Sequence, residues 1–146
     1  EHALRRKQAT ELPIRMLFGH SVEAMTAADV VLVASGTASL EAALLKRPMV
    51  ITYRIGAWQY RLMKHMAYLP WVGLPNILCE ESLVPELLQD EATPDKLALA
   101  LEAWLNEPER CAALERRFTE LHLTLRQNTA HKAAEAILPY LSGAAP

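Results

Sequence analysis

Apolar residues in the first half of the chain fall in short runs separated by turn residues. Val30–Ala34 is an unbroken apolar run, and Met49–Tyr53 is a second run that contains β-branched and aromatic residues. Runs of this length without alternation are typical of strands that a parallel sheet buries on both faces. Ala38–Lys46, between them, has helical composition and ends at Arg47–Pro48. The pattern predicts a βαβ unit with a right-handed crossover.

The remaining elements are predicted from apolar periodicity and from Pro and Gly punctuation. They are a helix ending near Ala9, a strand over Ile14–Phe18, a short helix from Ser21 to Ala28–Asp29, a helix over Gly56–Tyr68, a loop at Pro75–Asn76, and helices over Ser82–Gln89, Pro94–Trp104 and Pro108–Leu125 with helical structure continuing to Leu141. No repeat or Gly/Ser linker interrupts them. The expected fold class is α/β, with a parallel sheet flanked by helices and a helical C-terminal arm.

Composition places the chain among ordinary globular proteins. Its 146 residues are 51% hydrophobic and 22% charged, with a formal net charge of −2. This charge offers no basic surface of the kind that binds nucleic acid through its phosphates. Two cysteines, Cys79 and Cys111, are too few for a disulfide framework, so a reducing compartment is expected.

The chain shows no export or membrane-spanning pattern. It opens on charged residues rather than on a basic segment followed by an apolar core, and no apolar run approaches the roughly 18 residues of a membrane span. It also begins without Met, on a charged helical pattern. We therefore expect this sequence to be a piece of a longer protein.

The segment Ser35-Gly36-Thr37 carries the clearest indication of chemistry. It lies at the carboxyl end of a predicted buried strand and at the start of a helix, which is where ligands bind in open α/β sheets. Free backbone N–H groups, close approach at Gly36 and two hydroxyls would suit a diphosphate. Glu41 lies four residues after Thr37 on the same helix face, where its carboxylate can accept hydrogen bonds from ribose hydroxyls.

The same residues suit a simpler interpretation equally well. Ser and Thr are ordinary helix caps, and the helix dipole stabilises an acid in the first turns without any ligand. The sequence contains no GxGxxG, no P-loop and no Ser/His/Asp arrangement. His2, His122 and His131 lack the spacing of metal ligands, so no metal site is expected.

A second stretch, from Arg54 to Cys79, is cationic and aromatic. It contains Arg54, Arg61, Lys64 and His65 but no Asp or Glu, and it includes Trp58, Tyr60, Tyr68 and Trp71. Such a surface could face a phosphate-bearing ligand or an anionic membrane. The alternative is a surface helix whose aromatic residues pack on the sheet.

Several groups of residues, taken in order, resemble one enzyme family. They are Ala34-Ser35-Gly36-Thr37-Ala38-Ser39-Leu40-Glu41, Pro48-Met49-Val50 with Tyr53-Arg54, Leu74-Pro75-Asn76-Ile77-Leu78, Glu86-Leu87-Leu88-Gln89, and Leu121-His122 with Arg126 and Asn128. Together they are similar to the C-terminal half of lipid-A-disaccharide synthases, over nearly the whole chain. The Ser-Gly-Thr and Leu-Pro-Asn elements at this spacing are more specific than either alone.

The resemblance implies a glycosyltransferase of the two-Rossmann-domain (GT-B) architecture. The family transfers 2,3-diacylglucosamine from its UDP derivative to 2,3-diacylglucosamine 1-phosphate, forming the β-1,6-linked disaccharide of lipid A without a cofactor or metal. The resemblance assigns Ser35, Gly36 and Thr37 to the diphosphate and Glu41 to the ribose. It places Arg54 and Asn76 near the donor sugar or its phosphates, and Gly19 and His20 beside the uracil.

The resemblance also implies what lies outside this chain. Residues 1–125 would form a truncated Rossmann-like domain that binds the UDP-sugar, and residues 126–146 a C-terminal arm. The domain that binds acceptor and acyl chains and supplies the catalytic base would be absent, so this part alone is expected to be inactive. The enzyme would work peripherally on the cytoplasmic face of the bacterial inner membrane, and exchange of the arm between two copies would give a homodimer.

Two other interpretations stay open at this point. Another UDP-sugar glycosyltransferase or a UDP-sugar 2-epimerase would share the architecture, although donor loops in those enzymes usually hold more glycine before the ribose-binding Glu. A non-catalytic nucleotide-binding module would also fit the residues, but it would show no preference for uridine.

Overall fold

The computed structural model of the chain describes residues 13–34, 36–56, 58–61 and 69–141. The predicted helix before Ala9, like most of the predicted helix over 56–68, lies outside these residues. The described elements, in chain order, are α1 (Ser21–Ala27), β1 (Val31–Ala34), α2 (Thr37–Leu44), β2 (Met49–Tyr53), α3 (Leu74–Cys79), β3 (Glu86–Leu88), a 3₁₀ turn (Gln89–Glu91), α4 (Pro94–Asn106), α5 (Pro108–Leu125) and α6 (Thr129–Leu141). Residues 58–61 are also helical.

A parallel three-stranded sheet in the order β1-β2-β3 forms the centre of the molecule. β1 and β2 coincide with the two apolar runs of the sequence, and α2 connects them. The predicted α/β class with a parallel sheet flanked by helices is therefore confirmed. All three strands end at one edge of the sheet, which we call the carboxyl edge.

The hydrophobic core lies on β2 and on the helices that cover it. Met49, Val50 and Ile51 are fully buried, and Phe118 of α5 and Trp104 of α4 pack in the same cluster. The Trp104 indole N–H donates a hydrogen bond to the Met49 carbonyl at 3.0 Å. Since a buried indole N–H needs an acceptor, this bond fixes α4 against the start of the central strand.

The prediction that both faces of β1 are buried is wrong. Val33 is buried, but Leu32 is 47% exposed and Ala34 is also exposed. Among the described residues β1 pairs only with β2, so it is an edge strand, and the face that carries Leu32 has no helix over it. An unbroken apolar run therefore does not distinguish a central strand from an edge strand.

The predicted strand over Ile14–Phe18 does not form among the described residues. Residues 13–17 have no regular structure, and Ile14, Met16, Leu17 and Phe18 are all exposed. Strand-like composition is not enough, because a strand also requires a neighbour that supplies backbone hydrogen bonds. The short helix predicted after it is confirmed as α1.

The predicted helix over Ser82–Gln89 is wrong, because Glu86–Leu88 is a strand and Gln89–Glu91 a 3₁₀ turn. β3 pairs in parallel with β2, from Ile51 beside Glu86 to Tyr53 beside Leu88. The free edge of β2 supplies hydrogen bonds that a local apolar pattern cannot reveal. Tertiary pairing here overrides local propensity.

The predicted loop at Pro75–Asn76 is also wrong, because both residues lie in the first turn of α3 and are buried. Proline is favoured in a first turn, where a backbone N–H would have no partner within the helix. Glu80, the C-cap residue that follows α3, adopts the left-handed conformation. The Leu-Pro-Asn element is therefore a helix start.

The C-terminal helices follow their predicted start signals. Thr93 caps α4, where its side chain accepts a hydrogen bond from the Lys96 N–H at 3.3 Å, and Pro108 opens α5. The helical structure predicted up to Leu141 is interrupted between α5 and α6. Residues 129–140 of α6 are exposed throughout.

Candidate functional site

The carboxyl edge brings together residues that are far apart in the sequence. β1 and β2 pair in register up to Ala34 and Thr52. Gly36 follows β1 by two residues and Arg54 follows β2 by one, so both lie just beyond the carboxyl ends of neighbouring strands. Because ligands of parallel α/β sheets bind at this edge, the two predicted residues share the expected location.

The start of α2 is built for close approach of a ligand. Gly36 is the N-cap residue, with φ 137° and ψ −160°, a conformation that favours glycine. A Cβ built on Gly36 would meet nothing within 4 Å, so open space lies in front of it. Since the cap has no side chain, the first backbone N–H groups of α2 are not closed off by it.

Ser39 stabilises this turn from its buried side. Its side chain is fully buried, and its hydroxyl donates a hydrogen bond to the Gly36 carbonyl at 2.7 Å. The Ser39 backbone N–H donates to the same oxygen at 3.2 Å. No role was predicted for Ser39 from the sequence. Its position three residues after the helix cap is one from which a serine side chain can bond to the backbone of the cap.

The predicted ligand side chains on α2 are exposed and unengaged. Thr37 occupies the first helical position and Glu41 lies one turn later, and both are exposed. Neither the Thr37 hydroxyl nor the Glu41 carboxylate has a partner among the described residues. Because the cap is Gly36, Thr37 does not act as the ordinary helix cap. Ser35, the third member of this prediction, lies outside the described residues.

Arg54 lies at the end of β2 and is exposed. No salt bridge joins it to an acid in the part of the chain that the structure describes. Its guanidinium is thus a cation at the carboxyl edge, beside the start of α2. The combination of a helix start and an arginine would suit a phosphate-bearing ligand.

Gly19 and His20 lie at the start of α1. Gly19 has φ 75°, and His20 is the N-cap residue, with its Nδ1 3.5 Å from Glu23 Oε1. Their role beside a uracil stays a prediction.

Asn76 is fully buried, and its amide is completely hydrogen-bonded. Nδ2 donates to the Val84 carbonyl at 2.9 Å and to Glu86 Oε1 at 2.8 Å. Oδ1 accepts from the N–H groups of Leu83 and Val84 at 2.9 and 3.0 Å. These four bonds exhaust the strong donors and acceptors of the amide, so in this structure Asn76 joins α3 to the segment that leads into β3.

Glu86 extends this network toward the loop before α3. Its Oε2 accepts from the Val72 N–H at 2.9 Å, and its Oε1 accepts from the Gly73 N–H at 3.0 Å. Gly73 is required by close packing, since a Cβ there would lie 2.3 Å from Ile51 Cδ1. We call Gly73, Asn76 and Glu86 the support cluster, because together they fix α3 to β2 and β3.

Sequence reasoning assigned no function to Glu86 or Gly73. Glu86 was grouped with an apparent helix, but it is an acid that opens an apolar segment directly after Pro85. An acid at the start of a buried strand needs partners, and that was the signal available. For Gly73 only the local Gly-Leu-Pro-Asn order was visible, and not the contact with Ile51.

A groove of about 440 Å³ lies at the opposite edge of the sheet, where Pro48 precedes β2. Arg47, Trp104 and Cys111 are among the residues that line it. None of the predicted ligand residues belongs to it. The predicted ligand residues of α2 and Arg54 instead form an open surface at the carboxyl edge.

The described residues contain no group of three or more His, Cys, Asp or Glu side chains arranged to hold a metal ion. No helix among them has the length and apolar character needed to cross a membrane.

Known proteins similar to this chain all point to one family. A family model described as lipid-A-disaccharide synthetase matches residues 1–138. The lipid-A-disaccharide synthase of Azoarcus sp. (strain BH72) is 76% identical over 143 residues, which cover 98% of this chain and 37% of that protein. Those of Aromatoleum aromaticum and Dechloromonas aromatica are 75% and 59% identical over 142 residues, covering 97% of this chain and 36% and 37% of those proteins.

The chain thus spans little more than a third of the length of these curated relatives. Within that third the match is nearly continuous, and it confirms the resemblance predicted from the Ser-Gly-Thr and Leu-Pro-Asn elements. The chain belongs to the lipid-A-disaccharide synthetase family.

Proposed function

We propose that the carboxyl edge of this chain binds the UDP part of a nucleotide-sugar donor. The observation that carries the proposal is the open helix start at Gly36, which follows β1 at the same edge of the sheet where Arg54 follows β2. Arg54 forms no salt bridge with any described acid. A diphosphate placed there would accept hydrogen bonds from the first N–H groups of α2 and face the positive end of its dipole. Arg54 would neutralise part of the phosphate charge.

Thr37 and Glu41 complete the proposed site. Both are exposed on one face of α2, where no described residue engages them. The Thr37 hydroxyl would donate to a phosphate oxygen, as would Ser35. The Glu41 carboxylate would accept hydrogen bonds from the two ribose hydroxyls, and the loop at Gly19 and His20 would border the uracil.

In this proposal Asn76 supports the site indirectly and does not bind the donor itself. Its amide is filled by the chain's own groups, so its effect on the donor would pass through the support cluster. By holding α3 to β3, it would keep the backbone near the sugar in position.

The whole protein would be a lipid-A-disaccharide synthase, as the names of its relatives suggest, and by the resemblance a hexosyltransferase of the GT-B architecture. It would transfer 2,3-diacylglucosamine from UDP-2,3-diacylglucosamine to 2,3-diacylglucosamine 1-phosphate and release UDP. Residues 1–125 would be the donor half of this enzyme and residues 126–146 its arm. The acceptor site and the catalytic base would lie in the two-thirds of the relatives' length that this chain does not cover.

Calorimetric titration with UDP and with ADP tests the donor site. Glu41→Ala should weaken UDP binding by about 1 to 3 kcal/mol, because charged hydrogen bonds to the ribose are left unmade. Glu102→Ala removes an exposed acid of α4 and should leave UDP binding unchanged. Unchanged affinity in Glu41→Ala would remove that residue from the site, and equal affinity for ADP and UDP would favour a general nucleotide-binding module.

The stretch from Arg54 to Trp71 is proposed to face the lipid surface. Within its described part, Arg54 and Arg61 are exposed, Trp58 is 70% exposed and Leu69 is 44% exposed. Exposed apolar side chains beside cations suit an anionic bilayer. The enzyme would therefore work on the cytoplasmic face of the bacterial inner membrane.

Vesicle sedimentation tests this placement. Reversing Arg61 and Lys64 to Glu should reduce binding to anionic vesicles, since each cation near the surface contributes roughly 1 kcal/mol. Reversing Arg116 and Lys132 is the matched control. Equal sedimentation of both double variants would show that this stretch is an ordinary protein surface and does not face the membrane.

The arm is proposed to associate with a second copy of the protein. Ile137 and Tyr140 of α6 are 55% and 68% exposed, so this helix presents large apolar side chains to solvent. Light scattering over a concentration series should show a dimer that is lost on deletion of residues 126–146. A monomer at every concentration would refute this role.

A further inference from the structure

The carboxyl end of β3 carries a side chain that the proposed site has not yet used. Gln89 directly follows Leu88 and begins the 3₁₀ turn. Its Oε1 accepts a hydrogen bond from the Ile55 N–H at 3.2 Å, one residue beyond Arg54. Gln89 therefore joins the carboxyl ends of β2 and β3.

The strand register places Gln89 in line with the donor site. β2 and β3 pair up to Tyr53 and Leu88, so the next residues are Arg54 and Gln89. Gly36 follows β1 on the other side of β2, so the three residues follow the ends of three neighbouring strands in one row along the carboxyl edge. Neighbouring strands lie about 4.8 Å apart, so β1 and β3 lie roughly 10 Å apart.

The backbone of Gln89 is held in an unfavourable conformation. Its φ of 51° lies in the left-handed region, which costs energy for a residue with a Cβ. Such conformations persist where the surroundings impose them, and they are concentrated at functional sites. Here the conformation lets the side chain reach β2 while the chain turns away from the sheet.

The amide nitrogen of Gln89 is the unusual feature. Nε2 is buried and has no hydrogen-bond acceptor in the described part of the chain. Exchanging the amide nitrogen and oxygen would not help, because it would set the NH₂ group against the Ile55 N–H. A buried donor without a partner calls for an explanation, and a ligand oxygen is the kind of partner it lacks.

We propose that Gln89 is a specificity-determining residue that donates a hydrogen bond from Nε2 to an oxygen of the donor's sugar. The inference rests on the proposed UDP site, since a diphosphate at the start of α2 leaves the sugar to extend along the row toward Gln89. Nε2 is buried in this structure, so the bond requires a local rearrangement around the amide. In return, the ligand oxygen satisfies a donor that has no partner among the described residues.

The experiment compares two ligands on the longest form of the protein that its gene encodes. Dissociation constants are measured for UDP and, in detergent micelles, for UDP-2,3-diacylglucosamine, and their ratio gives the contribution of the sugar. Gln89→Met removes both functions of the amide. Gln89→Glu, when ionised, keeps an acceptor for the Ile55 N–H but cannot donate. Gln127→Met is the matched control.

Both Gln89 variants should lower the sugar's contribution by about 3- to 10-fold, the effect of one lost hydrogen bond. A ratio unchanged in both would overturn the inference. So would a loss in Gln89→Met that Gln89→Glu restores, because the residue would then act only by holding Ile55. If the unaltered protein binds neither ligand, the proposed function fails and this inference with it. If UDP binds normally and only the ratio stays unchanged, this inference fails alone.

Discussion

Replacing Asn76 by Ala should lower the free energy of unfolding more than any substitution at the exposed carboxyl edge. The substitution removes four hydrogen bonds and leaves the N–H groups of Leu83 and Val84, and the Val84 carbonyl, without their partner. A buried polar group left unpaired costs about 1 to 3 kcal/mol. Because these costs are not additive within one network, we expect a total loss of about 3 to 5 kcal/mol.

This loss is a large share of the roughly 5 to 15 kcal/mol by which a typical domain is stable. Urea unfolding followed by circular dichroism measures it as a lower midpoint with an unchanged slope. Asn106→Ala is the matched control, because Asn106 is exposed at the end of α4, and it should change stability by less than about 0.5 kcal/mol. A loss below 1 kcal/mol in Asn76→Ala would refute the role given to this amide.

Asn76→Asp separates the two halves of the network. The new carboxylate still accepts from Leu83 and Val84, but it replaces the amide donor that lies 2.8 Å from Glu86 Oε1. Two ionised carboxylates at that distance repel each other, and burial weakens the screening of that repulsion. Protonation at low pH removes the repulsion, so the destabilisation is smaller in acid than at neutral pH. Stability relative to the parent protein should improve on acidification, and a constant difference would contradict this account.

Two further outcomes follow from the packing around α3. Gly73→Ala should destabilise the protein by about 1 to 3 kcal/mol, because its Cβ would overlap Ile51, whereas Gly56→Ala should be nearly neutral in the same urea assay. Burial raises the pKa of the Cys79 thiol, and the nearby charge of Arg117 partly opposes this rise. The pH dependence of Cys79 alkylation by iodoacetamide should therefore have its midpoint at a higher pH than in the unfolded chain. A midpoint equal to that of the unfolded chain would contradict this assignment.

The sequence was sufficient to predict elements whose signals are local. β2 was predicted with its observed bounds, because an apolar run between Arg47–Pro48 and Arg54 admits one interpretation. Thr93–Pro94 and Pro108 likewise marked the starts of α4 and α5. Caps and proline act through neighbouring residues, so these predictions needed no knowledge of the fold.

Where prediction failed, the missing information was a partner elsewhere in the chain. Residues 14–18 have the composition of a strand but form no regular structure, whereas Glu86–Leu88 has helix-forming composition and pairs with β2. Asn76 was assigned near the donor from the resemblance. Its four hydrogen bonds depend on the approach of residues 83–86, which spacing along the chain does not reveal.

The two sets of polar residues around the carboxyl edge therefore differ in kind. The side chains of Asn76 and Glu86 form hydrogen bonds within the protein, whereas those of Thr37, Glu41 and Arg54 have no described partner. A rigid frame beneath free polar groups lowers the ordering cost when a ligand binds, because the frame is already in place. Substitutions in the frame should consequently change stability first and affinity only as a result. Substitutions among the free groups should change affinity and leave stability almost untouched.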